Sequence, residues 1–312
     1  MSPIGELAYV GLVSSDPAAA CAVFERHLGL PRNDLPGPGG TVPVFSIGRS
    51  ALAVFPLGHP LAGDDAKPGV HHIALGVDDL ARAGALAGAA DSPAAQSAGL
   101  PSEGLGGRRT ITLPREATAG VRTLLTEKLA LAPHAGGPLE RIDHVGVAST
   151  DVREDEAAFA GRLGFAVESR QTDMEVITAV ESFTSDKYGV VYHARKPEPV
   201  GGLRVCFITV GDCELEFLAN FDPRQGGAVE HGRAGTTRQD QGAIARFVAS
   251  RGRGLHHIAL KTPDIDGTLA TLAAAGLPLI DVKGRPGSRR ALIGFLHPRA
   301  LGGVLLHLVQ RP

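Results

Sequence analysis

Two stretches of the chain carry the same alternation of apolar and polar positions. LAYVGLVSSD runs into AAACAVFERHLGL in the first half, and IDHVGVASTD runs into EDEAAFAGRLGF in the second. Tyr9, Phe24, Leu28 and Gly29 thus correspond to His144, Phe159, Leu163 and Gly164 at a constant offset of 135. Further on, SIGRSALAVFPL matches TVGDCELEFLAN, PGVHHIALGVDDL matches RGLHHIALKTPDI, and AGVRTLLTEKL matches GGVLLHLVQRP, at offsets of 163, 185 and 183. Preserved order with growing offsets marks an internal duplication whose loops have lengthened.

Within each copy the opening segment alternates as a half-buried strand does and is bounded by Ser, Asp and Gly. The next segment has helical apolar spacing, at Phe159, Leu163 and their neighbours, with Gly164 as its stop. Two or three strands follow, and then a second strand, helix and strands. The pattern predicts a βαβββ unit repeated four times, an α+β fold. Residues 131–139, LAPHAGGPL, hold two Pro and two Gly and read as the linker, which sets modules of 1–135 and 136–312. The growing offsets place insertions in the second copy near 172–199 and 222–241. Long inserts in compact domains tend to become lids or substrate walls, so the second module is the expected functional half.

Composition narrows the function classes. A chain of 312 residues suits about two domains. With 31 Lys and Arg against 33 Asp and Glu it carries no basic excess, so nucleic acid and anionic membranes are poor partners and a small-molecule substrate is favoured. Apolar residues at 43% and charged ones at 21% fit an ordinary folded chain, and 41 Gly with 22 Pro make it rich in turns. Cys21, Cys206 and Cys213 form no C-x-x-C pair and are odd in number, which favours a reducing cytoplasm over a disulfide framework. Neither a signal peptide nor an apolar span of about 18 residues is visible.

The candidate chemistry lies on strands. His144 shares a face with Ile142 and Gly146, Glu216 with Glu214, and His307 with Leu305 and Val309. Of His256 and His257 only one can face inward on a regular strand, and the repeat selects His257. Three imidazoles and a carboxylate could converge on a divalent metal such as zinc, iron, nickel, cobalt or manganese, although spacing alone does not bring them together. Taken singly, each is as well explained by a hydrogen-bonded His or a solvent-facing Glu. The first copy has Tyr9, Ala53, His72 and Leu124 at these positions. One imidazole cannot hold a metal, so His72 reads as a packing residue and the first module as structural or as a substrate wall.

IDHVGVAST, EFLANFDP, AIARFVASRGRGLHHIALKTPDI and FLHPRALGGVLLHLVQ together resemble the vicinal oxygen chelate superfamily, which spans glyoxalases, bleomycin resistance proteins and extradiol dioxygenases. The resemblance covers most of 140–311, more weakly 5–128, and in the second half it is greatest to methylmalonyl-CoA epimerases. It implies tandem modules, each a pair of βαβββ units in a cupped mixed sheet around a divalent metal that chelates neighbouring substrate oxygens. It also implies that His144, Glu216 and His257 are ligands. The family's last strand usually ends in a Glu that is ligand and proton carrier, and here that position is His307. His307 then either completes the metal set or moves the proton, with Glu216 as the other catalytic group, and the donor set brings one negative charge instead of two.

The activity so implied is that of an isomerase, epimerase or lyase working through a metal-stabilised enediolate. One alternative is an Fe(II)-dependent dioxygenase of the extradiol or hydroxyphenylpyruvate type. Another is a non-catalytic binding protein of the resistance type. Tyr188, Tyr192 and His193 could sit near the site or simply form an extra strand pair. SEGLGGRRT at 102–110 reads as a turn and not a phosphate loop, and Arg289, Arg290 and Arg299 as hydrated surface charges. No motif marks a groove for coenzyme A. A homodimer is allowed but not required, since a module pair within one chain removes the usual need for it.

Overall fold

The computed structural model describes residues 4–86, 101–134, 136–177, 179–196, 198–221 and 242–312. The first half runs β1 (Ile4–Ser14), α1 (Pro17–Ala22), β2 (Arg32–Gly37), β3 (Gly40–Ile47), β4 (Ser50–Pro56), β5 (Gly69–Val77), α2 (Leu80–Leu86), β6 (Ser102–Glu103), β7 (Arg109–Thr112) and β8 (Thr123–Glu127). The second half runs β9 (Arg141–Ser149), α3 (Val152–Glu156), β10 (Ala166–Ile177), β11 (Val180–Ser185), β12 (Gly189–Ala194), β13 (Glu198–Val210) and β14 (Cys213–Phe221). It continues with α4 (Gly242–Arg251), β15 (Gly254–Lys261), α5 (Ile265–Ala274), β16 (Arg285–Pro286), β17 (Leu292–Phe295) and β18 (Leu306–Gln310).

These strands form two curled, mixed, eight-stranded sheets, ordered β2-β3-β4-β1-β5-β8-β7-β6 and β10-β13-β14-β9-β15-β18-β17-β16. The orders superpose strand for strand, as tandem vicinal-oxygen-chelate modules require. At each centre an antiparallel pair, β1 with β5 or β9 with β15, is flanked by strands parallel to it.

The strand-to-helix junctions share one device. Asp16, Asp79, Asp151 and Asp264 each accept a hydrogen bond from a backbone N–H two or three residues on, at 2.9–3.0 Å, which satisfies an orphan donor of the first turn. The helices after β1 and β9 end in a wider turn than 3.6 spacing predicts. Leu28 N–H reaches Val23 O at 3.0 Å and Leu163 N–H reaches Ala158 O at 3.1 Å, both five residues back. Gly29 and Gly164, at φ +66° and +77°, then reverse the chain.

The apolar core is shared. One cluster joins Leu7, Phe24 and Ile73 of the first half to Val145, Phe159 and Leu260 of the second. Ser14 Oγ donates to Leu301 O and Ser15 N–H to Gly302 O across the same junction, at 3.0 and 2.9 Å. The opposite faces of the two sheets differ. The cup of the first is packed shut by Tyr9, Val42, Val44, Phe55, Leu105 and Leu124, whereas the second keeps a cavity of about 320 Å³.

The insertion near 172–199 prolongs β10 and β13 and adds the β11–β12 hairpin as a separate two-stranded sheet. Tyr188 and Tyr192 are exposed there, as is His193, and none lines the cavity, so their alternation reflects an extra strand pair. The expected insertion at 222–241 lies outside the described residues. Cys21, Cys206 and Cys213 are buried free thiols. Among the described residues no helix is long and apolar enough to cross a membrane.

Candidate metal centre

His144 comes from β9, Glu216 from β14, His257 from β15 and His307 from β18, four neighbouring strands. In register, Glu216 and His257 both lie opposite Gly146, and His144 and His307 both lie opposite Ala259. Gly146 leaves no room for a side chain. A Cβ built on Gly146 would come within 2.0 Å of His257 Cε1, and one on Gly11 within 2.2 Å of His72 Cε1.

All four residues are buried, none above 6% exposed. One ring nitrogen from each of His144, His257 and His307 lies within 4.8 Å of the other two. Glu216 Oε2 is 3.2 Å from His144 Nε2 and 3.4 Å from His257 Nε2. Donors bound to one ion at about 2.0–2.2 Å stand roughly 3–3.5 Å apart, a spacing that the two Glu216 contacts match. Among the described residues both ring nitrogens of His307 are buried without a hydrogen-bond partner, and Nε2 of His257 has only the 3.4 Å approach of Glu216. Each such group costs about 1–3 kcal/mol, which a bound cation would offset. The donor set therefore fits a divalent metal.

Neighbours fix the rings. His144 Nδ1 lies 3.0 Å from Asp143 Oδ2, which leaves its Nε2 facing Glu216. Asp143 is fully buried and held by Arg311, through Nε at 2.9 Å and through Nη2, and by Arg141. A carboxylate behind a ligand histidine sets its tautomer and basicity. Burial disfavours charge on His144, but Glu216 and Asp143 outweigh it and hold the imidazole up at about 9. Burial likewise works against the Glu216 carboxylate, and His144 and His257 reverse it, keeping the group ionised. Burial, reinforced by His257 and His144, pushes His307 well down, so it is a neutral imidazole.

The alternation rule fails at His256. A register shift between Leu255 and His257 puts both rings against the cavity, with His256 Nδ1 2.9 Å from His257 Nδ1. Only one of these nitrogens carries the proton. Burial, and then His257, push His256 down to about 3, so it is neutral and can accept from His257 Nδ1–H, leaving His257 Nε2 toward Glu216. His71 and His72 repeat the contact at 2.8 Å in the first module, where among the described residues no cluster of ligands surrounds it.

Asp143 and Arg311 escaped the sequence reading, which named Gly146 only as a neighbour of His144 on its face and set His256 aside. The aspartate could have been noticed as the residue before the first histidine in IDHVG, but strand alternation assigns it to the other face. Asp143→Asn should weaken metal binding about 10- to 100-fold in a chelator-competition titration, and unchanged affinity would remove Asp143 from this role. Arg289 also departs from expectation. It is no hydrated surface charge but lies over the Phe207 ring at 3.6 Å and pairs with Glu214 and Glu168. Arg290 and Arg299 are exposed.

Asp173 on β10 is another buried carboxyl. Burial raises it to about 6 despite the Gln171 amide 3.3 Å from each oxygen, and the Glu216 charge adds to the rise. A carboxyl raised in the folded state stabilises below its unfolded pKa of about 3.9, and that contribution is lost as pH rises through about 6. Asp173→Asn should therefore be about 1–2 kcal/mol more stable than the parent at pH 8 in urea denaturation, with the gap closing near pH 4. A gap independent of pH would contradict this.

Comparison with known proteins accords with the geometry. Residues 143–295 match the family model of the Glyoxalase/Bleomycin resistance protein/Dioxygenase superfamily. The mitochondrial methylmalonyl-CoA epimerase of Dictyostelium discoideum is 28% identical over 131 residues, 40% of this chain and 69% of that one. The human mitochondrial epimerase is 24% identical over 174 residues, 55% of this chain and 74% of its own. A solved variant of 4-hydroxymandelate synthase from Streptomyces coelicolor is similar over 100% of this chain and 93% of its own, with a TM-score of 0.61 and 15% identity, a likeness of fold. Through its second module the chain is similar to the glyoxalase, bleomycin resistance protein and dioxygenase superfamily.

Proposed function

We propose that this chain is a divalent-metal-dependent enzyme acting on a small substrate with vicinal oxygens, as an isomerase, epimerase or lyase. One observation carries the reading: His307 is buried with both nitrogens unpartnered beside His144, His257 and Glu216, an arrangement costly to keep unless something binds there. When bound, cobalt, nickel, manganese, zinc or iron would supply the charge that stabilises an enediolate as a proton leaves carbon next to a carbonyl. His144, His257 and Glu216 would hold the ion. His307 completes the set or accepts the proton. The apolar cavity wall, with Leu203, Leu218 and Ile293, excludes water from the reacting carbon. The first module, with Tyr9, Ala53, His72 and Leu124 in a closed cup, serves as scaffold. The epimerases among the relatives support proton transfer next to a carbonyl as the reaction type.

The test is solvent exchange. Protein reconstituted with each metal is incubated in D2O with 2-oxo acids, 2-hydroxy acids and acyl thioesters, and the proton next to the carbonyl is followed by NMR. Metal-dependent loss of that signal is expected. Oxygen consumption with Fe(II) and no exchange with the other metals would turn the reading to oxygen activation, for which the same donors are suited. Tight ligand binding without metal would turn it to sequestration.

A further inference from the structure

We infer that Arg285 and Ser288 form a carboxylate-binding subsite in the cavity, so that the substrate carries a free carboxylate besides the oxygens that face the metal centre. The inference rests on the metal-site reading above and adds the substrate class. Most of the cavity wall is hydrocarbon, and among the described residues its polar side chains apart from the ligand cluster and His256 are Arg285, Ser288 and Arg311. Arg311 is taken up by Asp143.

Arg285 is only partly used. Its Nε donates to Asp281 Oδ1 at 3.0 Å, and Asp281 Oδ2 accepts the Phe295 N–H at 2.9 Å. Arg285 Nη1 is buried and has no acceptor among the described residues. Ser288 Oγ accepts from Gln171 Nε2 at 3.0 Å, so its own O–H remains to be donated. One ring connects this corner to the metal centre. Phe295 lies 4.4 Å from the His307 ring, and the Arg285 guanidinium 5.4 Å from the Phe295 ring, centroid distances in each case.

The repeat shows that this corner is particular to the second module. Arg285 and Ser288 stand where the first has Ser102 and Leu105, and Leu105 helps to plug the first cup. The same loop puts Arg289 and Arg290 at φ +54° and +61°, where the first module uses Gly106 and Gly107 at +70° and +67°. Left-handed backbone at a non-glycine residue is strained, and strain collects at binding sites. Here the ion pairs of Arg289 with Glu214 and Glu168 hold the loop in place.

The charge balance selects the ligand. Asp281 takes up part of the Arg285 charge, so a monoanion with two acceptor oxygens is better balanced here than a phosphate dianion, whose second charge nothing compensates. The experiment is calorimetric titration of Mn(II)-loaded protein with 2-oxodicarboxylates of about five to eight carbons, each beside the 2-oxomonocarboxylate and the terminal phosphonate of equal length. The best diacid should bind about 10- to 100-fold tighter than its monoacid. In Arg285→Met, and in Asp281→Asn/Arg285→Met, which keeps the local charge, that preference should vanish while monoacid affinity stays unchanged. Equal binding of diacid and monoacid to the parent, a preference that survives in both variants, or a stronger phosphonate would overturn the subsite. Diacid preference that depends on Arg285 but not on Mn(II) would instead support the subsite and overturn the metal reading.

Discussion

Gly146→Ala should destabilise the protein by about 3 kcal/mol or more in urea denaturation, or prevent folding. The added methyl would lie 2.0 Å from His257 Cε1, far inside contact distance, and the ring has nowhere to retreat. It is buried, its Nδ1 is on His256, and its strand is paired on both sides by β9 and β18. Gly11→Ala, against His72, should behave alike, whereas Gly5→Ala, with nothing within 4 Å, should be close to neutral. The cause is the clash, so His257→Ala in the same chain should recover most of the loss, a coupling that a double-mutant cycle reads directly. A Gly146→Ala protein within about 0.5 kcal/mol of the parent would mean that His257 is not held where the structure has it.

His307→Leu should move stability and metal binding in opposite directions. The first module is the precedent, since Leu124 occupies the equivalent position and packs with Tyr9, Phe55 and Ala53 in a closed apolar cluster. Replacing an imidazole whose two nitrogens are buried and unpaired removes an uncompensated polar group, so chelator-treated His307→Leu should be about 1–3 kcal/mol more stable than the chelator-treated parent. The same variant should lose metal affinity by at least about 10-fold, because a ligand contributes on the order of a kcal/mol or more to the ion. His307→Glu is the complementary change and should tighten metal binding by adding a negative charge to the set. A less stable chelator-treated His307→Leu, or one that binds metal as the parent does, would show that His307 is a packed structural residue.

The repeat made the fold legible. Tyr9 against His144, Ala53 against Glu216, His72 against His257 and Leu124 against His307 are paired by sequence offsets alone, and β-sheet register places each pair at the same point of its sheet. The four candidate ligands were readable for the same reason, because side-chain alternation and a duplicated frame fix which strands and which faces they occupy. What escaped depends on deviations from regular geometry. The bulge at His256 defeats alternation, and the wide helical turns at Val23–His27 and Ala157–Arg162 differ from ordinary helix by one residue per turn, too little for a short segment to register. Arg289 read as solvated because its partners, Glu214 and Glu168, are 75 and 121 residues away in the chain. The shared core escaped for a related reason, since composition reports how much apolar surface exists but not which sheet covers it.

The measurement that bears most directly on the central claim is metal content by inductively coupled plasma mass spectrometry. Tag-free protein is reconstituted with each of manganese, iron, cobalt, nickel and zinc, desalted, and compared with His144→Ala/His257→Ala treated identically. The account predicts close to one ion per chain for at least one metal in the parent and loss of that ion in the variant, with both proteins folded by circular dichroism. A folded parent that retains no ion, or a variant that retains as much as the parent, would contradict it.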